Sequence, residues 1–395
     1  MTDRDRDGLA HPRLITRDPV TGSYPRVIPD PRRAVASEIT TLEQTKTHPG
    51  QLGRVATPAI PPGRRWPRGT LYQLEQRLEI VHQRVMAIKV EASRVLVGLD
   101  ALVHGLLLGL FAGGHVLVNG PPGSAKTLAT RTLAAALGGT FTRIELTPDL
   151  DVGDLVGSVQ VHRSRGDIIV CRGPIFANVV LADGLDRAPQ RVQAALLDAM
   201  RESHCRIGEQ LFGLPAPFFV VATSTSQAHE HATPIRAAHL DRFLLSLVTH
   251  VPRPADELRI LDLVAGADAE PVAAPQLTPA AVVQTREIMR QISVDDQVKR
   301  YAIDLVAAIR DRIGLHTADP VLLVGHSASV LASIALVKVA RAHALLDSRA
   351  HVTPLDVKRI APLVLRHRIA LRPHDAAGAD PEDVIAWLVD RVALP

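Results

Sequence analysis

The chain of 395 residues contains very little cysteine and very few aromatic residues. Its two cysteines, Cys171 and Cys205, are too few for a disulfide framework, which fits a reducing compartment and predicts a cytoplasmic protein. Aromatic residues make up 3% of the chain, so its cores must consist mainly of leucine, valine, isoleucine and alanine. The abundance of alanine and leucine favours helices.

A large excess of charge and a clear membrane segment are also missing. The formal net charge of +4 is small for this length and does not by itself indicate a nucleic-acid partner. The first seven residues read Met-Thr-Asp-Arg-Asp-Arg-Asp and have no apolar character, so no signal peptide is expected. The uncharged run 101–118 is interrupted by Gly113 and Gly114, which predicts a helix followed by a strand and no membrane span.

The chain divides into three parts. Residues 1–69 are rich in proline and arginine and have scattered apolar residues, which predicts a disordered tail. Residues 70–253 alternate short apolar runs with helical periods, which predicts an α/β domain whose parallel sheet is covered by helices. Residues 254–395 show only helical periods and predict an all-helical lid domain. The predicted strands are 116–118, 142–146, 178–182 and 218–222, and the predicted lid helices are 254–264, 279–292, 295–310, 326–346 and 354–366.

A phosphate-binding loop lies between a predicted strand and a predicted helix. It reads Gly-Pro-Pro-Gly-Ser-Ala-Lys-Thr, and its residues are Gly120, Pro121, Pro122, Gly123, Ser124, Ala125, Lys126 and Thr127. In such a loop, backbone N–H groups and the N-terminus of the following helix surround the β-phosphate of a nucleotide. Lys126 is expected to reach the β- and γ-phosphates, and the Thr127 hydroxyl to bind Mg²⁺. Ala125 replaces the usual second glycine.

Five further segments carry a resemblance to a known family. They read Leu-Thr-Pro-Asp-Leu at 146–150 with Gly-Asp-Leu-Val-Gly at 153–157, Gly-Pro-Ile-Phe-Ala-Asn at 173–178, Gln-Ala-Ala-Leu-Leu-Asp-Ala-Met at 193–200, Leu-Asp-Arg-Phe-Leu at 240–244 and Leu-Arg-His-Arg-Ile at 365–369. With the phosphate-binding loop, they make roughly three quarters of the chain similar to the MoxR family of AAA+ ATPases. The resemblance implies an AAA+ domain followed by a helical lid, in ring-forming, often hexameric ATPases. Such proteins remodel or mature client proteins, frequently beside a von Willebrand A-type partner.

The resemblance also implies roles for residues that hydrolyse ATP, and three of these positions carry another residue here. Asp183 ends a predicted strand and is expected to hold Mg²⁺ through water, beside the Thr127 hydroxyl. The family places a glutamate after this aspartate to polarise the attacking water, but this chain has Gly184. The sensor 1 asparagine is replaced by Thr225 and the sensor 2 arginine by Leu331. Loss of the glutamate alone is expected to slow hydrolysis by ~10²- to 10⁴-fold.

Other candidate residues follow from the same resemblance. Arg242 occupies the position of an arginine finger that stabilises charge on the ATP of a neighbouring subunit. The alternative for Arg242 is a structural ion pair with Asp241 or a nearby acid. Val97 and Gly98 are expected to contact the nucleotide base, mostly through backbone and apolar contacts. Asp186 is a candidate substitute for the missing glutamate.

Three functions remain open from the sequence. The first is an ATP-binding MoxR-like subunit with weak or lost hydrolysis, which acts in chaperone-like remodelling of a client that the sequence does not identify. The second is a fully active ATPase of the same family, with Asp186 or a residue of another subunit as the base. The third is a DNA-associated factor, suggested by arginine pairs in the tail. It is disfavoured because residues 70–395 lack a basic stripe interleaved with aromatic residues.

Overall fold

The computed structural model describes residues 15–17, 68–161, 168–224, 233, 235–265, 272–311, 324–326, 328–371 and 381–395. Its strands are β1 (Ile15–Arg17), β2 (Val116–Asn119), β3 (Phe141–Glu145), β4 (Gly157–Val161), β5 (Ile168–Arg172), β6 (Val179–Asp183), β7 (His204–Ile207), β8 (Gln210–Gly213), β9 (Phe219–Ser224), β10 (Leu245–Val248), β11 (Val324–His326) and β12 (Ala370–Leu371). Its helices are α1 (Arg68–Ser93), α2 (Asp100–Ala112), α3 (Lys126–Ala136), α4 (Val152–Val156), α5 (Gln190–Glu202), α6 (Ala237–Leu240), α7 (Pro254–Ala265), α8 (Pro279–Arg290), α9 (Asp296–Asp311), α10 (Val330–Leu346), α11 (Pro354–Leu365) and α12 (Pro381–Arg391).

A five-stranded parallel sheet forms the centre of the α/β part, in the order β10-β2-β9-β6-β3. Four of these strands are the ones predicted from apolar runs, within two residues at each end. The fifth, β10, was not predicted because Ser246 interrupts its short apolar run. In the structure Asn119 donates a hydrogen bond of 3.0 Å to the Ser246 hydroxyl, so this buried polar group is satisfied inside the sheet. The predicted fold class is confirmed.

The central sheet separates two apolar clusters. In β6, Val179 and Leu181 belong to one cluster and Val180 and Ala182 to the other, because successive side chains of a strand point to opposite faces. All four side chains are buried, as expected for a parallel strand covered on both faces. The first cluster continues through α1 and α2 into the helices of the lid. The α/β part and the lid therefore share one continuous apolar core.

The lid helices begin at caps that the sequence indicates. The Thr278 hydroxyl accepts a hydrogen bond of 3.2 Å from the Ala281 N–H, and the Thr353 hydroxyl accepts one of 3.3 Å from the Asp356 N–H. A proline follows each threonine and supplies a backbone angle suited to the first turn. These side chains satisfy N–H groups that the first turn of a helix leaves without partners.

Two lid elements differ from the prediction. The helix predicted for 326–346 was wrong at its start, because His326 ends β11, which pairs antiparallel with β12. Helix α10 begins at Val330, after Ser329, whose hydroxyl accepts a hydrogen bond of 3.1 Å from the Leu331 N–H. The last helix, α12, was not predicted.

A short segment of the N-terminal tail forms a strand. Ile15–Arg17 pairs parallel with β5 in a second sheet of order β1-β5-β4, so the structure differs there from the predicted disordered tail. The remainder of the tail up to residue 67 lies outside the described residues. Among the described residues, no helix combines the length and apolar character that a membrane crossing requires.

A buried carboxylate connects two helices of the lid. Asp356 in α11 accepts hydrogen bonds of 2.6 and 2.8 Å from the Arg349 guanidinium and one of 2.7 Å from the Thr353 N–H. Its Oδ1 also lies 2.9 Å from Nδ1 of His343 in α10. Burial, the largest influence, raises the pKa of Asp356, but these hydrogen bonds and the Arg349 charge outweigh it and hold the pKa well below its usual range. The ionised carboxylate is thus the folded-state form.

We predict that Asp356→Ala lowers the free energy of unfolding by about 3 kcal/mol, because it leaves the Arg349 guanidinium without its buried partner. Asp390→Ala is the control: the Lys358–Asp390 pair is mostly exposed, and its loss costs about 0.5 kcal/mol. Urea denaturation followed by circular dichroism measures both. Equal losses for the two variants would contradict this assignment.

Candidate nucleotide-binding site

The candidate site lies at the carboxyl ends of the central strands. The phosphate-binding loop connects the end of β2 to the start of α3, and neighbouring strands end at Asp183 and Ser224. Gly120 of the loop donates a backbone hydrogen bond of 3.3 Å to the Ser224 carbonyl. Ligands of parallel α/β sheets bind at this edge, where the strand ends and helix N-termini converge.

The first residue of the loop must be glycine. Gly120 has φ +155°, and a Cβ atom there would lie 2.2 Å from Oγ1 of Thr249 and 2.6 Å from its carbonyl oxygen. Thr249 follows β10, and its hydroxyl is also 2.8 Å from Oγ of Ser124. The loop is therefore held against the end of β10 at both Gly120 and Ser124.

The Lys126 side chain folds back onto the first residues of its own loop. Its Nζ donates hydrogen bonds of 2.8 Å to the Gly120 carbonyl, 2.7 Å to the Pro121 carbonyl and 3.2 Å to the Ser124 hydroxyl. Burial lowers the pKa of Lys126, while the charges of Asp183 and Asp186 raise it. The ammonium group is thus already desolvated in part and positioned at the mouth of the loop, as the predicted phosphate contact requires.

Among the described residues, no side chain caps the N-terminus of α3. Its N-cap residue is Ala125, whose side chain cannot cap the helix, so the first N–H groups receive no side-chain cap. Thr127 is half-buried in the first turn, and Pro122 and Gly123 are exposed in the loop. Uncapped N–H groups, the helix dipole and the Lys126 ammonium together form a site suited to a polyphosphate.

Both oxygens of the Asp183 carboxylate accept hydrogen bonds from neighbouring side chains. Oδ1 accepts a hydrogen bond of 2.7 Å from the Thr223 hydroxyl. Oδ2 accepts bonds of 3.0 Å from Nε and 2.6 Å from Nη2 of Arg143, which extends from the adjacent strand β3. Burial is the largest influence and raises the pKa of Asp183, but the Thr223 and Arg143 hydrogen bonds and the charges of Arg143 and Arg187 outweigh it and lower the pKa. Asp183 is thus ionised.

The Arg187 guanidinium lies in the space where a side chain at position 184 would begin. Gly184 has φ +83°, and a Cβ atom there would lie 2.3 Å from Nε and 2.5 Å from Nη2 of Arg187. Nη2 of Arg187 also lies 3.5 Å from the Asp183 carbonyl oxygen. The space that the first side-chain carbon of a glutamate at position 184 would need is therefore not open, because the positively charged Arg187 side chain fills it.

The residues of this site fit the phosphates of ATP better than they fit Mg²⁺. The loop, Lys126 and the α3 N-terminus fit the phosphates of a nucleotide. The predicted Mg²⁺ ligands fit less well, because one carboxylate oxygen of Asp183 binds the Thr223 hydroxyl and the other binds the Arg143 guanidinium. A Mg²⁺ ion coordinated by Asp183 must compete with that guanidinium for the carboxylate.

Asp186 and Thr225 are the two remaining residues predicted to lie near the phosphates, and only Asp186 belongs to the described residues. Asp186 lies in the 3₁₀ turn Leu185–Arg187, is 7% exposed, and is near enough to Lys126 for its charge to raise the pKa of that residue. Its role as a substitute base stays a prediction. Thr225, the predicted sensor 1 residue, lies outside the described residues. Thr223 of β9 instead joins Asp183 to the Gly184 N–H, which donates a 2.9 Å hydrogen bond to its hydroxyl.

An ion pair joins the lid to the motif that contains Arg242. Nε of Arg368 donates a hydrogen bond of 2.7 Å to Oδ1 of Asp241, and the Ser329 hydroxyl donates one of 2.6 Å to Oδ2. Arg368 is 3% exposed at its side chain. Leu331, at the predicted sensor 2 position, lies in the first turn of α10 beside Ser329 and is half exposed. The lid therefore reaches this region without presenting an arginine at position 331.

Arg242 takes part in none of these contacts. It is exposed, and within the described part of the chain it forms no ion pair, because Asp241 is taken by Arg368 and Ser329. The alternative of an Arg242–Asp241 pair is thus not observed. Its role as a finger toward a neighbouring subunit stays a prediction.

Val97 and Gly98, predicted near the base, lie between α1 and α2. Gly98 has φ +70°, and a Cβ atom there would lie 3.0 Å from Oδ2 of Asp256 in α7. Val97 and Gly98 thus lie where the connection between α1 and α2 meets α7. Their contact with the nucleotide base stays a prediction.

Sequence reasoning missed Arg143, Arg187, Thr223 and Arg368. Arg143 gave no clear signal, because it lies in β3 at the end of the central sheet and is 48% exposed at its side chain. The strand order that makes Asp183 its partner was not available from the sequence.

Comparisons with known proteins agree with this geometry. A family model described as "ATPase family associated with various cellular activities (AAA)" matches residues 115–245, and one described as "AAA lid domain" matches residues 322–386. The chain is 39% identical over 307 residues to the protein named Chaperone MoxR1 of Mycobacterium tuberculosis, covering 77% of this chain and 81% of the relative. It is 33% identical to the uncharacterized protein YeaC of Bacillus subtilis, covering 77% and 92%. A crystal structure of a "putative ATPase" from Cytophaga hutchinsonii superposes with a TM-score of 0.76 at 31% identity, covering 82% and 99%.

Ala125 gives a testable consequence of the loop geometry. Its φ of +56° lies in the left-handed region, where a side chain costs about 1–2 kcal/mol. We predict that Ala125→Gly raises the free energy of unfolding by about 0.5–1 kcal/mol, since part of this gain is offset by the greater freedom of glycine in the unfolded chain. Ser203, with φ +54° at the end of α5, is a matched control. Ser203→Gly is expected to give a similar gain in urea denaturation, and a loss of stability in Ala125→Gly would refute the assignment.

Proposed function

Because the chain belongs to the MoxR family of AAA+ ATPases, we propose that it is an ATP-binding subunit in which hydrolysis is weak or lost. The observation that carries this proposal is the guanidinium of Arg187 beside Gly184. In this family the corresponding position supplies the carboxylate that activates water against the γ-phosphate. A glycine cannot accept a proton, and an adjacent guanidinium cannot act as a base.

Nucleotide retention is supported by the parts of the site that remain. The Lys126 ammonium and the uncapped N-terminus of α3 both belong to the loop–helix junction that follows β2, at the carboxyl ends of the strands. These groups bind phosphate oxygens in the ground state, whereas the replaced residues act on the water and on the charge that develops during transfer. Because the groups that bind the phosphates differ from those that act on the water, the site can bind nucleotide without rapid turnover.

We further propose that bound nucleotide controls assembly and the remodelling of a client protein. The name of the Mycobacterium tuberculosis relative, Chaperone MoxR1, supports this role. The exposed Arg242 is suited to act on the nucleotide of an adjacent subunit in a ring, and its neighbour Asp241 is held by the lid residue Arg368. A hexameric ring, a von Willebrand A-type partner and a cytoplasmic location remain part of this proposal.

A second candidate is an active ATPase in which Asp186 replaces the missing glutamate. The burial of Asp186 and its electrostatic interaction with Lys126 favour this candidate, because they place the carboxylate near the phosphate site. Its side chain starts two residues after Gly184 and belongs to the 3₁₀ turn, so it approaches from a different backbone position. The two candidates differ in the turnover they predict.

Phosphate release and ATP binding, measured on the same preparation, test the proposal. We expect the full chain to bind ATP while releasing phosphate at or below ~10⁻² s⁻¹, against the ~1 s⁻¹ or more of ordinary ATPases. Lys126→Ala removes the ammonium that contacts the phosphates and should weaken ATP binding by about 100-fold.

Two results would count against this assignment. Turnover near ~1 s⁻¹ that disappears in Lys126→Ala shows an active enzyme, and its loss in Asp186→Asn then identifies Asp186 as the base. Failure of the full chain to bind ATP at all would exclude the nucleotide-binding role itself. Arg201→Gln, a change in an exposed ion pair on α5, controls for general effects of substitution.

A further inference from the structure

Asp183 lies between two arginines at the place where a metal ion is expected. Arg143 binds its Oδ2 through two N–H groups, and Arg187 approaches its backbone carbonyl oxygen from the following turn. Arg143 extends from β3, whose register with β6 pairs Glu145 with Asp183, so the guanidinium reaches along the strand toward its carboxyl end. Both cations are therefore held at the edge of the sheet where the phosphate-binding loop begins.

The balance of charge at this edge differs from that of a site built for a divalent cation. The family's pair of adjacent carboxylates would concentrate negative charge and favour a divalent ion. Here position 184 has no carboxylate, and Arg187 fills the space beside it. The basic side chains Lys126, Arg143 and Arg187 equal in number the acidic side chains Asp183, Asp186 and Glu145, the last of which is paired with Asp183 in the sheet. The acidic charge at this edge is thus already balanced without a metal.

The carboxylate oxygens that would hold a metal are also engaged. Thr223 donates to Oδ1 at 2.7 Å and Arg143 donates to Oδ2 at 2.6 Å. Asp183 is 18% exposed at its side chain and Arg143 is 48% exposed, so the pair is only partly shielded from solvent. Guanidinium groups bind phosphate oxygens as well as carboxylates, with two N–H groups directed to neighbouring oxygens.

We propose that Arg143 and Arg187 supply the positive charge that Mg²⁺ supplies in related sites, so that this protein binds metal-free ATP about as tightly as Mg²⁺-ATP. The inference rests on the proposed nucleotide-binding function and specifies the form of its ligand. It is also consistent with slow hydrolysis, because fixed guanidinium groups leave the site without a metal ion to orient and polarise the reacting oxygens.

Calorimetric titration of the full chain with ATP, once in excess Mg²⁺ and once in excess EDTA, tests this inference. The dissociation constants are expected to agree within about threefold. A dissociation constant that is about tenfold or more higher in EDTA would overturn the inference and leave the proposed function intact. Absence of binding under both conditions would instead reject the proposed function, and with it the inference.

A variant distinguishes the guanidinium from other sources of metal independence. Arg143→Gln removes the charge and frees Oδ2 of Asp183, so ATP binding should weaken by about tenfold or more in EDTA but by about threefold or less in Mg²⁺. Arg143→Lys keeps one charge without the paired N–H groups and should fall between the wild-type protein and Arg143→Gln in EDTA. Arg201→Gln, in the exposed pair on α5, should bind like the wild-type protein under both conditions. Equal weakening of Arg143→Gln in both conditions would contradict the role given to Arg143.

Discussion

The hydrogen bonds to Asp183 determine what this site can do. Thr223 and Arg143 engage its two oxygens, and the Thr223 hydroxyl also receives the N–H of Gly184, which joins β9 to the turn after β6. This arrangement fixes the left-handed backbone at Gly184 and places Arg187 beside it. The strand end that carries Asp183 is thereby held by a network of hydrogen bonds.

The lid is connected to the same edge of the sheet through polar and apolar contacts. Arg368 donates to Asp241 and to the carbonyl oxygens of Phe243 and Leu244, so one buried guanidinium ties the end of α11 to the segment before β10. The apolar core also passes without interruption from the sheet into the lid helices. The phosphate-binding loop is therefore connected, through Thr249 and β10, to the segment that Arg368 of the lid contacts.

The sequence was sufficient for features whose cause is local. The phosphate-binding loop, four strands of the parallel sheet and the caps at Thr278 and Thr353 follow from residue type and spacing over a few positions. It was insufficient where the cause is a contact between distant segments. The Arg143–Asp183 pair depends on the neighbouring positions of β3 and β6, and β10 is stable because Asn119 satisfies Ser246. The start of α10 was misplaced because residues 324–326 pair with β12 instead of continuing a helical period.

The central claim is that the site holds a triphosphate whose hydrolysis lacks a base. Its most direct test is the chemical identity of nucleotide that stays bound after the protein is incubated with ATP and Mg²⁺ for many minutes, separated from free nucleotide and denatured. An ordinary family ATPase at ~1 s⁻¹ would complete many cycles in that time. Recovery of intact ATP is the result that this account predicts, and recovery of ADP would contradict it.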